Sequence, residues 1–336
     1  MPDRRDMVMI GASAGGVEAL IKLVRTLPSG YAGTLFVVLH IAPEGTSVLS
    51  QILNRAGPLQ AYPAREGELP RPGHIYVATP NSHLLIGDDG RIALSSGPKE
   101  NGHRPAVDPL FRSAAAVYGP RAVGVVMSGS RDDGTAGLRA IKAAGGLAIV
   151  QDPSDALAPS MPLGAIEHVN VDAIRPAEEI AALLVELAGR APVSEPAAAG
   201  NGAPQSASTS PIEPGNSSGL TCPECRGALW EVMENELTQY RCRVGHVYSL
   251  ESLLAEQARS VEAALWAGVA ALEERSQLMR RMADRAGRGD ARVVGERFIR
   301  EADSAEHQAS LLRDAVTEYA SRGASVLSEA ERVGEQ

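Results

Sequence analysis

A serine, a histidine and an aspartate each follow an apolar segment in the first half of the chain, and these residue types can carry out acyl transfer. Ser13 lies in Gly-Ala-Ser-Ala-Gly, residues 11–15, which fits the G-x-S-x-G pattern of a serine on a tight turn between a strand and a helix. The helix would direct free N–H groups near residues 14–16 toward the serine, where they could stabilise an oxyanion. A glycine-rich turn can equally bind a phosphate, and taken alone the motif leaves both interpretations open.

The histidine and the aspartate come directly after two further apolar segments. Residues 35–39 are followed by His40, and residues 123–127 run into a turn that contains Asp132 and Asp133. Because reactive groups gather at the carboxyl ends of strands in open α/β sheets, we expect these side chains near the serine. A histidine titrates near neutral pH and suits the general base, and an aspartate would orient its ring. Either aspartate fits this role. Each residue alone could be structural, so the hypothesis depends on a serine, a histidine and an aspartate all lying at the ends of strands in one sheet.

The elements that would position these residues alternate between strands and helices over residues 1–189. Continuous apolar runs such as 35–39 are typical of strands buried on both faces of a parallel sheet. The pattern predicts an α/β fold, with a doubly wound, mostly parallel sheet and one antiparallel hairpin at 84–94. The predicted strands are 8–10, 35–39, 75–78, 122–127 and 147–150, and the predicted helices lie near 16–27, 46–56, 107–118, 134–144 and 176–188. The order Ser, His, Asp differs from the Ser, Asp, His order of the α/β-hydrolase fold.

The remaining chain divides into three parts of different composition. Residues 190–219 consist mostly of Ala, Gly, Ser, Pro and Asn, which cannot bury enough apolar surface to fold, so we predict a disordered linker. Residues 220–248 contain all three cysteines. Residues 249–336 are predicted to form a helical hairpin or coiled-coil tail. Its two apolar stripes either pack on each other, which we favour, or form a homo-oligomer contact.

The cysteine segment has the spacing of a structural metal site. Cys222 and Cys225 form a C-x2-C pair, Cys242 and His246 form a C-x3-H pair, and sixteen residues lie between the pairs. Three thiolates and one imidazole suit a tetrahedral zinc ion, so we predict a small zinc-ribbon module. Incidental thiols are the alternative, and a redox pair is disfavoured because no βαβ pattern surrounds it. The predicted zinc is structural, and no cofactor is expected for catalysis.

Composition excludes several classes of function. The chain has 336 residues and a net charge of −9, which disfavours a nucleic-acid partner bound through its phosphates. No apolar run reaches the roughly 20 residues needed to span a bilayer, so no membrane insertion is expected. The N-terminus lacks the features of a signal peptide, and the odd number of cysteines is a poor disulfide framework. The expected location is the cytoplasm.

Residues 7 to about 188 resemble the catalytic domain of the chemotaxis protein-glutamate methylesterase (CheB) family. The resemblance rests on five motifs in the same order, at residues 10–16, 39–45, 72–78, 103–111 and 128–134. It implies a catalytic triad of Ser13, His40 and Asp133. It also implies hydrolysis of glutamate methyl esters on the signalling helices of chemoreceptors, with release of methanol, and some members deamidate receptor glutamines.

The sequence departs from the family at two positions near the nucleophile, where Ala14 replaces a usual Thr and Ser130 a usual Met. The family's N-terminal receiver domain is absent, so phosphorylation in cis is not expected. The main hypothesis is a serine esterase acting on methylated chemoreceptors, with a tail that binds other signalling proteins. The alternatives are a catalytically weak regulatory protein of the same fold and a receptor glutamine deamidase. His103 and Arg104 are weaker candidates for the substrate groove, and the other histidines of this region (His74, His83 and His168) are interpreted as structural or solvent-facing.

Overall fold

A parallel sheet of seven strands forms the centre of the N-terminal region in the computed structural model, which describes residues 4–41, 47–189, 216–234, 237–286 and 292–333. The strands are β1 Met7–Ala12, β2 Thr34–Leu39, β3 Gln60–Pro63, β4 His74–Val77, β7 Ala122–Val126, β8 Leu147–Gln151 and β9 Ala173–Arg175. Their order is β3-β4-β2-β1-β7-β8-β9, and every pair is parallel. β1 therefore lies where the strand order reverses, which is the usual place for a site in such folds.

Two layers of helices cover the sheet, as the predicted doubly wound fold requires. One face packs on α1 Gly16–Thr26, α2 Leu49–Ala56 and α6 Ala177–Gly189. The other packs on α3 Val107–Tyr118, α4 Thr135–Ala143, α5 Ser160–His168 and an antiparallel hairpin of β5 His83–Ile86 and β6 Ile92–Ser95. Side chains of β1 alternate between the two cores, with Val8 and Ile10 in the first and Met7 and Met9 in the second, as the period of two in a strand dictates. The predicted fold class is confirmed.

Three short elements of this region were not predicted from the sequence. β3 and β9 lie at the two edges of the sheet and are only partly buried, so neither has a continuous apolar run. α5 contains Pro162 and Gly164, which weaken the helical pattern. The helix predicted near 46–56 begins at Leu49, and residues 42–46 lie outside the described residues.

A four-stranded antiparallel sheet holds the cysteine segment. Its strands are β10 Asn216–Thr221, β11 Ala228–Glu234, β12 Leu237–Cys242 and β13 Val247–Tyr248. β10 begins inside the predicted linker 190–219, of which 190–215 lies outside the described residues. Its small polar residues carry no strand signal, and backbone pairing with β11 forms the strand instead. We call residues 216–248 the ribbon; they belong to the same compact unit as the parallel sheet, Met1–Leu253.

Two long helices form the second compact unit, Leu254–Gln336. They are α7 Leu250–Ala286, whose first residues belong to the first unit, and α8 Arg292–Val333. Glu273 pairs with Arg313, and Arg280, farther along α7, pairs with Glu306, which comes earlier in α8, so the two helices run antiparallel. Their contact is formed by small buried side chains, including Val269, Ala302, Ala305, Ala309 and Val316. The predicted helical hairpin is confirmed, and an oligomer contact stays a prediction. Among the residues that the structure describes, no helix combines the length and apolarity needed to cross a membrane.

Candidate active site

Ser13 occupies a tight turn between β1 and α1. Its N–H donates to the carbonyl of Ser128 at 2.9 Å, and its carbonyl accepts the N–H of Gly16 at 2.9 Å. Three N–H groups, at residues 14–16, were expected to stabilise an oxyanion. The N–H of Gly16 is already bonded to the carbonyl of Ser13, so two of the three are left for this role. The N–H groups of Ala14 and Gly15 donate to no acceptor within the described part of the chain. They remain available to a ligand beside Ser13.

Gly15 is required by both the conformation and the packing of this turn. Its φ of 70° lies in the left-handed region, which residues with a side chain adopt at a cost. A methyl group there would lie 2.5 Å from Cβ of Leu157 and 2.7 Å from Oγ of Ser128. The turn that presents Ser13 is thus packed directly against the loops that follow β7 and β8.

His40 leaves β2 beside Ser13. β1 and β2 pair in register, with Ala12 opposite Leu39, and the N–H of His40 donates to the carbonyl of Ala12 at 3.2 Å. The next residue of each strand, Ser13 and His40, therefore extends from neighbouring positions on the same edge. The two strands are held by their backbone bonds and by burial of both faces, and these contacts determine where Ser13 and His40 emerge.

Asp133 accepts a hydrogen bond from His40. The Nε2 to Oδ2 distance is 2.7 Å, and the two side chains are only 5% and 2% exposed. Nδ1 of His40 is buried and has no hydrogen-bond partner among the described residues. With the proton on Nε2 facing a carboxylate, Nδ1 carries the lone pair that can accept a proton. This is the tautomer that a general base requires.

The surroundings of Asp133 keep it ionised. Burial raises the pKa of this carboxyl, but the hydrogen bond and charge of His40 and the N–H of Val107 outweigh burial and hold its pKa well below its usual range. Oδ2 accepts the N–H of Val107 at 2.7 Å, and Oδ1 accepts the N–H of Asp108 at 3.3 Å and Nδ2 of Asn101 at 3.1 Å. Four donors thus converge on one carboxylate.

A second buried carboxyl, Asp108, lies next to Asp133. It accepts the N–H groups of Gly134 at 3.1 Å and Gly137 at 2.7 Å. Burial, assisted by the negative charge of Asp133, raises the pKa of Asp108 well above its usual value. Nδ2 of Asn101 also donates to Asp108 at 3.1 Å, so one amide bridges both carboxyls. Asn101 and Asp108 were not assigned a role from the sequence, because no spacing rule relates them to the turn at 132–134.

Asp132 and Asp133 have different partners. Oδ1 of Asp132 accepts the hydroxyls of Ser249 and Ser252, both at 2.8 Å. The structure therefore brings Asp133 to His40 and directs Asp132 to the start of α7. The two aspartates are adjacent in sequence, and only the turn geometry distinguishes them.

His103 and Arg104, the weaker groove candidates, have distinct environments. The ring of His103 stacks on that of His40, with centroids 3.8 Å apart and planes 10° from parallel. Arg104 donates to Oδ1 of Asn81 and to the carbonyls of residues 96–97. His103 therefore supports the position of the His40 ring, whereas Arg104 holds a loop in place.

The other three histidines of this region make structural contacts, as interpreted from the sequence. Nε2 of His83 bonds the carbonyl of Pro98 at 3.0 Å, and its Nδ1 accepts the N–H of Ala106. Burial lowers the pKa of His83, which fits a neutral ring. His74 and His168 bond carbonyls of their own turns.

The four residues predicted to bind zinc form a cluster in the ribbon that could hold a metal ion. Their ligand atoms all lie within 4.8 Å of one another. The sulfurs of Cys225 and Cys242 are 3.5 Å apart, and Nδ1 of His246 lies 3.4 Å from Cys242 Sγ and 3.6 Å from Cys222 Sγ. A tetrahedral ion with bonds of about 2.3 Å would separate its ligands by about 3.8 Å, so the donors and spacing fit.

Comparison with known proteins gives one consistent result for the N-terminal region. A family model described as CheB methylesterase matches residues 8–184. A Leptospira interrogans protein, named a candidate protein-glutamate methylesterase/protein-glutamine glutaminase, is 38% identical over 54% of this chain and 94% of its own length. A protein-glutamate methylesterase/protein-glutamine glutaminase of Anaeromyxobacter dehalogenans is 40% identical over 55% of this chain and 54% of its length. The crystal structure of the Thermotoga maritima CheB methylesterase catalytic domain is 32% identical, with a TM-score of 0.53, and covers 54% of this chain and 98% of that one.

Proposed function

The chain belongs to the CheB methylesterase family, and we propose that it is a serine esterase that hydrolyses glutamate methyl esters on chemoreceptor proteins. One observation carries the proposal. His40 bonds the ionised Asp133 through Nε2 and keeps a buried Nδ1 that has no partner among the described residues, at the end of the strand that pairs in register with the one leading to Ser13. These contacts support the proposal that His40 is a base, Asp133 its orienting carboxylate and Ser13 the nucleophile.

The proposed reaction uses these groups in two half-reactions. Ser13 Oγ attacks the ester carbon while His40 Nδ1 takes the hydroxyl proton, and Asp133 stabilises the imidazolium. The N–H groups of Ala14 and Gly15 stabilise the oxyanion. Collapse transfers the proton from His40 to the departing methoxide and releases methanol. Water, deprotonated by His40, then hydrolyses the acyl-enzyme to give the glutamate carboxylate and free Ser13.

The names of the relatives favour a second activity at the same site. Both matched proteins carry the designation of protein-glutamine glutaminase. The carboxamide of a receptor glutamine would be attacked in the same way, with ammonia as the leaving group in place of methanol.

The deciding experiment measures methanol release from a methylated chemoreceptor. We expect Ser13→Ala to lose this activity and to lose labelling by a fluorophosphonate, whereas Ser29→Ala, at an exposed serine, keeps both. Methanol release that persists in Ser13→Ala would refute the assignment. Ammonia release from an unmethylated receptor tests the glutaminase activity with the same variants.

We also propose that the cluster of Cys222, Cys225, Cys242 and His246 binds a structural zinc ion. Cys222 and Cys242 are fully buried, and four protein donors complete a tetrahedral shell. The ion would crosslink the turns on both sides of β11 and β12 and thereby stabilise the ribbon. We place the enzyme in the cytoplasm, where reduced thiols suit a metal site, and assign partner binding to the helical tail.

A further inference from the structure

The end of the ribbon contacts the segment that carries Asn101. The N–H of Asn101 donates to the carbonyl of Val247 at 2.8 Å, and its Oδ1 accepts the N–H of Ser249 at 3.0 Å. Glu100 forms a parallel bridge with Val247, and Lys99 pairs with Glu224 at 2.6 Å. The N–H of Val247 also donates to the carbonyl of Lys99 at 3.4 Å, so the backbone of residues 99–101 pairs with Val247 as in a single bridge of a parallel sheet.

The backbone N–H and the side-chain amide of Asn101 are both used in hydrogen bonds. It is 4% exposed and has a φ of 51°, a left-handed conformation that asparagine tolerates better than most residues. Its Nδ2 donates one hydrogen to Asp108 and one to Asp133. Because carboxylates accept and the Ser249 N–H donates, only one orientation of the amide satisfies all three partners. The N–H of Ser249, the residue after the ribbon, thus fixes the direction in which the amide donors of Asn101 point.

We propose that Asn101 is a positioning residue for the catalytic carboxylate Asp133, and that Val247 of the ribbon and Ser249, just after the ribbon, hold Asn101 in place. The proposal rests on the esterase function proposed above. The C-terminal module is then a structural part of the active site. It acts on the reaction through a chain of contacts that runs from the ribbon backbone to Asn101, Asp133 and His40.

The physical reason lies in the two buried carboxyls. Asp108 and Asp133 share one amide group, and the negative charge of Asp133 opposes ionisation of Asp108, which burial already disfavours. Without the donors of Asn101, the ionised form of Asp133 is less stable, and a proton shared between the carboxyls would change what faces His40 Nε2. A protonated Asp133 would donate to His40 Nε2. The ring proton would then lie on Nδ1, which could no longer accept the proton of Ser13.

A second contact ties the same module to the neighbouring turn. The hydroxyls of Ser249 and Ser252 both donate to Asp132, and the N–H of Ser252 donates to Oγ of Ser249. Asp132 directly precedes Asp133, so the start of α7 also restrains the turn that carries the catalytic carboxylate. The start of α7 and the residue before it therefore restrain Asp133 in two ways: through Asp132, the preceding residue of the turn, and through Asn101.

The test compares Asn101→Ala with Asn54→Ala in the full-length protein. Asn54 is a matched control because its side chain makes two hydrogen bonds to the backbone of Ala61 and none to a carboxylate. We expect Asn101→Ala to lower kcat about 10- to 100-fold, the loss of one hydrogen bond to a charged group, and to leave KM unchanged. Asn54→Ala keeps kcat. In 15N-histidine-labelled protein, the downfield proton signal of His40 Nε2–H weakens or shifts in Asn101→Ala only.

The contact from Ser249 is tested by comparing Ser249→Pro with Ser249→Ala, because both remove the hydroxyl that bonds Asp132 and only the proline removes the N–H that Asn101 accepts. We expect Ser249→Pro to lower kcat and the His40 signal more than Ser249→Ala does, and this difference to disappear in the Asn101→Ala background. Removing the metal with a chelator should weaken the same signal. Wild-type kcat and signal in Asn101→Ala would overturn the proposal, and a difference between Ser249→Pro and Ser249→Ala that is as large in the Asn101→Ala background as in the wild type would overturn the part played by the contact from Ser249. The NMR signal requires no substrate, so it separates failure of this proposal from failure of the esterase assignment.

Discussion

Replacing Asp133 by asparagine keeps the size of the side chain but removes the charge that faces His40. Asp133 accepts from His40 Nε2, two backbone N–H groups and Asn101 Nδ2. An amide offers one oxygen and two donors, so two of the four donors would face an NH2 group. We expect Asp133→Asn to fold with lower stability and to lose most of its activity.

The size of the loss follows from the 2.7 Å contact. The imidazolium formed when His40 takes the serine proton loses a carboxylate partner, and unit charges about 4 Å apart interact by about 4 kcal/mol at an effective dielectric constant of about 20. At about 1.4 kcal/mol per tenfold change in rate, this corresponds to about a 10³-fold loss. An amide that also selects the wrong tautomer raises the expected loss toward about 10⁴-fold.

The assay is kcat/KM for methanol release from a methylated chemoreceptor, with Asp132→Asn as the matched control. Asp132 bonds only serine hydroxyls among the side chains described, and an amide oxygen can still accept from them. Asp132→Asn should therefore lower kcat/KM by less than about tenfold, which corresponds to the free energy of one neutral hydrogen bond. An Asp133→Asn enzyme with more than a tenth of wild-type activity, or a greater loss in Asp132→Asn, would refute the assigned roles.

Three further predictions concern the metal, the packing and the pH dependence. Metal analysis should find about one zinc ion per chain in the wild type and none in Cys222→Ser; unchanged metal content would contradict the site. Gly129→Ala should lower the free energy of unfolding by about 1–3 kcal/mol, measured in urea, because a methyl group there overlaps the sulfur of Met161, whereas Gly30→Ala meets no atom within 4 Å and should be neutral. Burial raises the pKa of Asp155, but N–H, lysine and glutamine donors outweigh it and lower the pKa overall. Its stabilising contribution is therefore present above the unfolded pKa of about 3.9 and is lost as pH falls through the lowered folded pKa, so Asp155→Asn should flatten the acid side of the stability curve; an unchanged slope would contradict it.

Much of the fold and part of the site were predictable because the signals are local. Residues 35–39 form a continuous apolar run, and β2 occupies Thr34–Leu39. The spacing of Cys222, Cys225, Cys242 and His246 anticipated a cluster whose atoms do converge. Edge elements such as β3 were not predicted, because a half-exposed strand has no continuous run of apolar residues.

The tertiary structure alone relates residues that are distant in sequence. Asn101 lies 32 positions from Asp133 and 148 from Ser249, and no periodicity or motif links these positions. Spacing could not choose between Asp132 and Asp133, because one step along the turn directs the first to α7 and the second to His40.

The sequence by itself determined which residues end the central strands, because hydrophobic runs and the polar residues after them are properties of a few neighbouring positions. It therefore identified Ser13 and His40 as neighbours at one edge of a parallel sheet. The tertiary structure decided which carboxylate faces His40, which amide bridges the two buried carboxyls, and that the ribbon packs beside them. Those contacts depend on distances and directions that only the packed chain defines, since each hydrogen bond requires a donor and an acceptor within about 3 Å.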